Sequence, residues 1–116
     1  MRVTLGFDTS CYTTSAAAVD EHGTVVAAER MLLPVREGQR GLRQSEAVFA
    51  HVRQMPQVME ALGRRLAGAQ VVAVCASARP RDGEDSYMPV FTVGLGHASV
   101  LASTLGAPLY ETSHQQ

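Results

Sequence analysis

The stretch Val71-Val72-Ala73-Val74-Cys75-Ala76-Ser77 carries no charge, no Gly and no Pro. A run this short and this apolar reads as a strand buried on both faces. Such strands lie inside parallel sheets with helices laid against them. The rest of the chain must therefore supply neighbouring strands and crossover helices.

The flanking patterns supply both. Arg2–Asp8 alternates, with Val3, Leu5 and Phe7 on one side and Thr4, Gly6 and Asp8 on the other, as in a half-buried strand. Thr13–Val19 is a second strand of small and β-branched residues, joined to the first by the hydroxyl-rich link Thr9-Ser10-Cys11-Tyr12. Asp20-Glu21-His22-Gly23 is a hairpin turn, and Thr24–Leu33 a third strand stopped by Pro34. Val35–Leu42, with its glycines and charges, reads as an exposed loop.

A helix is expected from about Ser45 to Leu66, with Val48, Val52, Met55, Met59, Leu62 and Leu66 on one face. Pro56 lies inside it and predicts a kink or a break, and Gly68 a stop. Ala78–Asp85 reads as a loop. A second helix is expected from near Ser86 to Leu105, with Pro89 in its first turn and Gly106 at its end. Its Gly94, Gly96, Ala98, Ser99 and Ala102 permit close approach to a sheet, and Pro108–Thr112 is a last strand. The order β-β-β-α-β-α-β gives an α/β chain with a mixed sheet. That is the arrangement of the ribonuclease H-like fold, and of each lobe in the actin, sugar-kinase and heat-shock chaperone superfamily.

Composition narrows the chemistry. At 116 residues the chain is one domain, 46% hydrophobic, with a net charge of −1 and no charge run. Electrostatics alone points to neither nucleic acid nor membrane. All ten basic residues are Arg. A Walker-type phosphate loop or a Schiff base needs a lysine and is excluded within this sequence. Cys11 and Cys75 form neither a disulfide framework nor a zinc knuckle, and read as small thiols in a reducing compartment. No stretch has the pattern of a signal peptide or a bilayer span, so a cytoplasmic protein without a membrane partner is expected.

The link and its flanks, Asp8-Thr9-Ser10-Cys11-Tyr12-Thr13-Thr14-Ser15, hold the first candidate site. A tight hairpin turn offers backbone N–H groups and hydroxyls to a phosphate, and Asp8 could hold Mg²⁺ through water. The same residues could instead satisfy their own backbone as a Ser/Thr-rich turn.

From Gly6 to Ser15 the sequence resembles the opening motif of the tRNA threonylcarbamoyl-transferase (glycoprotease, or O-sialoglycoprotein endopeptidase) family, Gly-Ile-Glu-Thr-Ser-Cys-Asp-Glu-Thr-(Ser/Gly). Glu46, Ala47, His51 and Pro56 resemble the family's Pro-Glu-x-Ala-Ser-Arg-x-His segment and its following Pro. Leu105-Gly106-Ala107-Pro108-Leu109 resembles its Leu-Gly-Lys-Pro-Leu, and His114 the first histidine of its His-x-x-x-His metal motif. The resemblance runs from end to end of the chain. It implies the N-terminal lobe, residues 1–116, of a two-lobe protein that ends here before its second lobe. It implies ATP or an adenylate and a divalent metal (Zn, Fe or Mg) as cofactors of the whole protein, and tRNA as its partner. Asp8, Thr9, Ser10, Cys11 and Thr13 would face the nucleotide and His114 the metal; no catalytic residue is assigned. A peptidase finds no support, because neither a nucleophile–base pair nor a His-Glu-x-x-His helix is present.

The departures are specific. Tyr12 and Thr13 stand where the family has Asp-Glu. Ser77-Ala78-Arg79-Pro80-Arg81 replaces its Gly-Pro-Gly loop, with Arg79 and Arg81 offered as phosphate ligands in its place. His114 lacks a second histidine four residues on, and one ligand does not hold a metal. These changes indicate a diverged paralogue, the isolated lobe being inactive and binding nucleotide weakly or not at all. One alternative is a non-catalytic partner subunit, since the same superfamily supplies subunits that dimerise with the transferase and stabilise it. Another is a ribonuclease H-type nuclease built on Asp8 and Glu46, which lacks the third carboxylate that two-metal catalysis needs. His51 is expected to pack or cap, His97 to be structural and His22 to sit in a turn. A lobe exposing its inter-lobe surface is expected to form a homodimer.

Overall fold

The computed structural model describes residues 1–10, 12–34, 43–79 and 89–113. The elements are β1 (Arg2–Asp8), β2 (Thr13–Asp20), β3 (Val25–Leu32), α1 (Gln44–Arg64), β4 (Gln70–Arg79), α2 (Pro89–Leu105) and β5 (Leu109–Ser113). Their order is the expected one.

They form one five-stranded sheet in the order β3-β2-β1-β4-β5. The two short links make β1/β2 and β2/β3 antiparallel, and the two helical crossovers make β1/β4 and β4/β5 parallel. The β2–β3 turn is set by Asp20, whose carboxylate accepts the N–H groups of His22 at 2.9 Å and Thr24 at 3.0 Å. Gly23 supplies the left-handed residue there, at φ 83°.

Alternation decides the faces. Val3, Leu5 and Phe7 of β1, Ala16 and Ala18 of β2, Ala27 of β3 and Val74 and Ala76 of β4 all join the main core. Met55, Val58 and Leu62 of α1 and Ala98 and Ala102 of α2 close on them from one side. Both helices thus cover the same face. On the other face the register aligns Ala28, Ala17, Gly6 and Cys75 in one row across four strands.

Three expectations change. β4 is buried on one face rather than two: Val74 and Ala76 are buried beneath the helices, while Val71, Ala73 and Cys75 are only half-buried. Both described helices lie on the same side, and nothing described covers the other. The buried stripe of α1 is Ala47, His51, Met55, Val58 and Leu62, not the expected one. It is rotated toward His51, and Val52 is left exposed. The cause is a polar partner for His51 on β2, described below. Pro56 does not break α1, which runs through it from Gln44 to Arg64. Pro56 is exposed, as is Val52, whose carbonyl would otherwise accept the missing N–H, so that group can turn to water.

His97 of α2 meets Phe7 edge-on, with ring centroids 5.1 Å apart. Its Nε2 is shielded and has no hydrogen-bond partner among the described residues, and burial holds its pKa below the ordinary 6.5. The unfolded chain therefore binds the proton more readily than the folded one. The stability tied to neutral His97 is present above pH 6.5 and is lost as pH falls below it, through the lowered folded value. The urea midpoint is expected to drop over that window, and His97→Phe to flatten the drop. An unchanged slope in the variant would refute this.

Candidate functional site

The link after β1 is fixed by one side chain. Thr9 is fully buried. Its hydroxyl donates to the Val90 carbonyl at 2.6 Å and accepts the Gly94 N–H at 3.0 Å. Val90 and Gly94 are four apart in α2, the pair that a regular helix joins directly. The Thr9 hydroxyl thus bonds both the donor and the acceptor of one rung. Gly94 makes this close approach possible, because a Cβ there would lie 3.0 Å from Thr9 Oγ1.

The neighbouring groups also turn inward. The Ser10 N–H donates to Asp8 Oδ1 at 2.8 Å, and the Ser15 hydroxyl donates to the Asp8 carbonyl at 3.1 Å. Leu33 N–H donates to the Tyr12 carbonyl at 2.8 Å, tying the link to the end of β3. Thr13 opens β2 opposite Leu32 and is half-buried. The hydroxyl hydrogen of Thr9 and the amide of Ser10, both proposed above for phosphate, therefore already have intramolecular acceptors.

A second clamp lies one residue further on. Thr14 and His51 are both fully buried, with Thr14 Oγ1 2.7 Å from His51 Nδ1. Thr14 Oγ1 is also 3.1 Å from Gln54 Oε1. Gln54 Nε2 donates to the Leu32 carbonyl at 2.9 Å, which fixes its amide with Oε1 toward Thr14. Thr14 has one hydroxyl hydrogen and gives it to Oε1, so His51 must donate from Nδ1. The chain Nδ1–H to Thr14 to Gln54 to Leu32 joins α1, β2 and β3 by hydrogen bonds. Sequence reasoning placed Thr14 in the candidate link but missed Gln54 and the pairing of Thr14 with His51. The signal was present in the period: Thr14, Ala16 and Ala18 share the inward side of β2, so a buried hydroxyl there needs a partner.

Other candidates fall elsewhere. Cys11, Arg81 and His114 lie outside the described residues, as does the side chain of Arg79, whose backbone is the last of β4. Glu46, the second carboxylate of the nuclease alternative, is exposed in the first turn of α1 and sits 3.9 Å from Arg43. Among the described residues no three His, Cys, Asp or Glu come together as a metal site. No described helix is long and apolar enough to cross a membrane. Beside Asp8, a cavity of about 460 Å³ opens on the sheet face away from the helices. Cys75 lines it, with its thiol pKa raised by burial.

No protein-family model matches the sequence, and no curated protein does. Solved structures do match. YeaZ from Pseudomonas aeruginosa covers 97% of the chain with a TM-score of 0.66 at 20% identity. A protein described as similar to peptidase YEAZ from the same organism covers 97% with a TM-score of 0.66 at 19% identity. RuvC from T. thermophilus, solved with a Holliday junction substrate, covers 99% with a TM-score of 0.53 at 15% identity. The fold is ribonuclease H-like. The chain spans 44% of the length of each YeaZ-type chain and 66% of RuvC. At these identities the likeness is one of fold.

Thr9 and Gly94 give a test with opposite signs. An Ala in place of an interior helix Gly normally stabilises by about 1 kcal/mol. Gly96→Ala, with nothing within 4 Å of the new methyl, is expected to do so. Gly94→Ala drives its methyl against Thr9 and is expected to destabilise by about 1–3 kcal/mol. Urea denaturation of both variants decides; two shifts of the same sign would exclude the close Thr9–Gly94 contact.

Proposed function

We propose that this chain is the N-terminal lobe of a non-catalytic, YeaZ-like partner subunit acting with the tRNA threonylcarbamoyl transferase. The observation that carries the reading is the match to YeaZ over 97% of the chain, YeaZ being a partner in that transferase system. Residues support it. Tyr12 and Thr13 stand where the resembled transferase motif has two acids. The link that would cradle a phosphate has its Thr9 hydroxyl and Ser10 amide committed within the chain. On this reading ATP, metal and tRNA are held by the transferase, and this lobe docks and stabilises.

The outer face of α1 suits docking. Phe49 is 63% exposed and Val52 52% exposed, and the Arg53 guanidinium lies 5.8 Å from the Phe49 ring centroid. Fully burying a Phe side chain contributes about 1.5–3 kcal/mol. The free lobe is expected to form a homodimer through its exposed inter-lobe surface.

Mixing the purified chain with the transferase of the same cell is expected to give one complex by size exclusion with light scattering. Phe49→Glu is expected to weaken that complex roughly tenfold or more while moving the chain's own stability by less than about 0.5 kcal/mol. Calorimetry with ATP should show no tight binding to the chain alone. Tight ATP binding, or modified tRNA produced by the chain unaided, would overturn the proposal.

A further inference from the structure

Two strands end the described sheet, β3 on one side and β5 on the other. An edge strand carries a row of backbone groups that invites a further strand. The two edges are treated differently.

Leu33 N–H donates to the Tyr12 carbonyl, in the same register that sets Leu32 opposite Thr13. Alternate residues from Ala27 to Leu33 therefore turn their backbone groups to β2, and Ala28, Arg30 and Leu32 turn theirs outward. Side chains from α1 and its C-cap take two of those three outward carbonyls. Arg65 Nη1 donates to the Ala28 carbonyl at 3.0 Å, and Gln54 Nε2 to the Leu32 carbonyl at 2.9 Å. Both donors are held from behind. Arg65 lies 3.4 Å from the Glu29 carboxylate, and Gln54 Oε1 accepts the Thr14 hydroxyl. A strand arriving at this edge meets side chains where its own N–H groups would bond.

β5 has no such guard among the described residues. Val74 N–H donates to the Pro108 carbonyl, so Leu109 and Glu111 turn their backbone groups outward. Among the described residues no side chain bonds to those groups.

The two edges match each other. Set antiparallel with Arg30 opposite Glu111, they bring Met31 opposite Tyr110 and Leu32 opposite Leu109. Opposite charges and apolar pairs facing across strands are stabilising. Met31, Leu32 and Tyr110 are all exposed. Pairing β3 with another β3 about Glu29 or Arg30 sets like charge against like, which is destabilising. A joint from β3 of one copy to β5 of the next is head-to-tail and can repeat without closing.

We infer that Gln54 and Arg65 cap the β3 edge against β5 of a second copy, and so hold the chain back from open-ended assembly. Gln54 ties this cap to the Thr14–His51 pair, so the hydrogen bonds that seat α1 also guard the edge. The edge lies apart from the docking face proposed above, and the inference does not rest on the partner role.

Static light scattering of the intact chain tests it. Gln54→Ala combined with Arg65→Ala should give a mass that keeps rising with concentration, where the unaltered chain levels off. Adding Glu111→Arg should stop the growth by setting a second cation against Arg30. Adding Arg30→Glu as well should restore it. Gln54 also holds Thr14, so Arg65→Ala alone, at an exposed residue outside that chain of bonds, provides the second variant. It should show the same growth at higher concentration. The inference fails if neither variant grows, if growth survives Glu111→Arg, or if the charge swap does not bring it back.

Discussion

The arrangement turns on one hydroxyl. By taking the Gly94 N–H and giving its hydrogen to Val90, Thr9 ties the tip of β1 into the first turns of α2. β1 is the seam of the sheet, antiparallel to β2 on one side and parallel to β4 on the other. α2 is the crossover that leads from β4 to β5. A bond between the seam and the crossover therefore fixes where the second half of the fold sits on the first. The hydroxyl can bond to both groups because it is donor and acceptor at once.

The Thr14–His51–Gln54 chain does the same for α1. Residues within the first strand pair and its link thus reach both helices through buried hydrogen bonds. This is the physical sense in which the link serves architecture. The Thr9 hydroxyl of that link lies in the interface between sheet and helices.

The strands were legible because period two survives in Val3, Leu5 and Phe7, and in Ala16 and Ala18, with no polar residue competing. The helix α1 was legible as a helix but not in its rotation. Val48 and Val52 matched an apolar stripe, whereas the true stripe runs through His51, which counts as polar until Thr14 and Gln54 are placed beside it. A pattern of single residues cannot show that pairing, since the partners lie 37 and 3 positions away. Thr9 was legible as a hydroxyl at a turn; that it would bond to α2, more than eighty residues later, was not. The one-sided burial of β4 was hidden for a simpler reason. An apolar run reports what a strand tolerates on each face, not which helices arrive to cover it.

The seam also sets a timetable. β1, β2 and β3 pair through short hairpins and can assemble as soon as they leave the ribosome. The far edge of β1 must wait for β4, some sixty residues later. At typical synthesis rates that is on the order of 3–12 s. Through that interval the nascent chain presents the open hydrogen-bonding edge of β1, flanked by Val3, Leu5 and Phe7, to whatever strand it meets first. A delay in translating α1 would lengthen that exposure without altering a single contact of the finished fold.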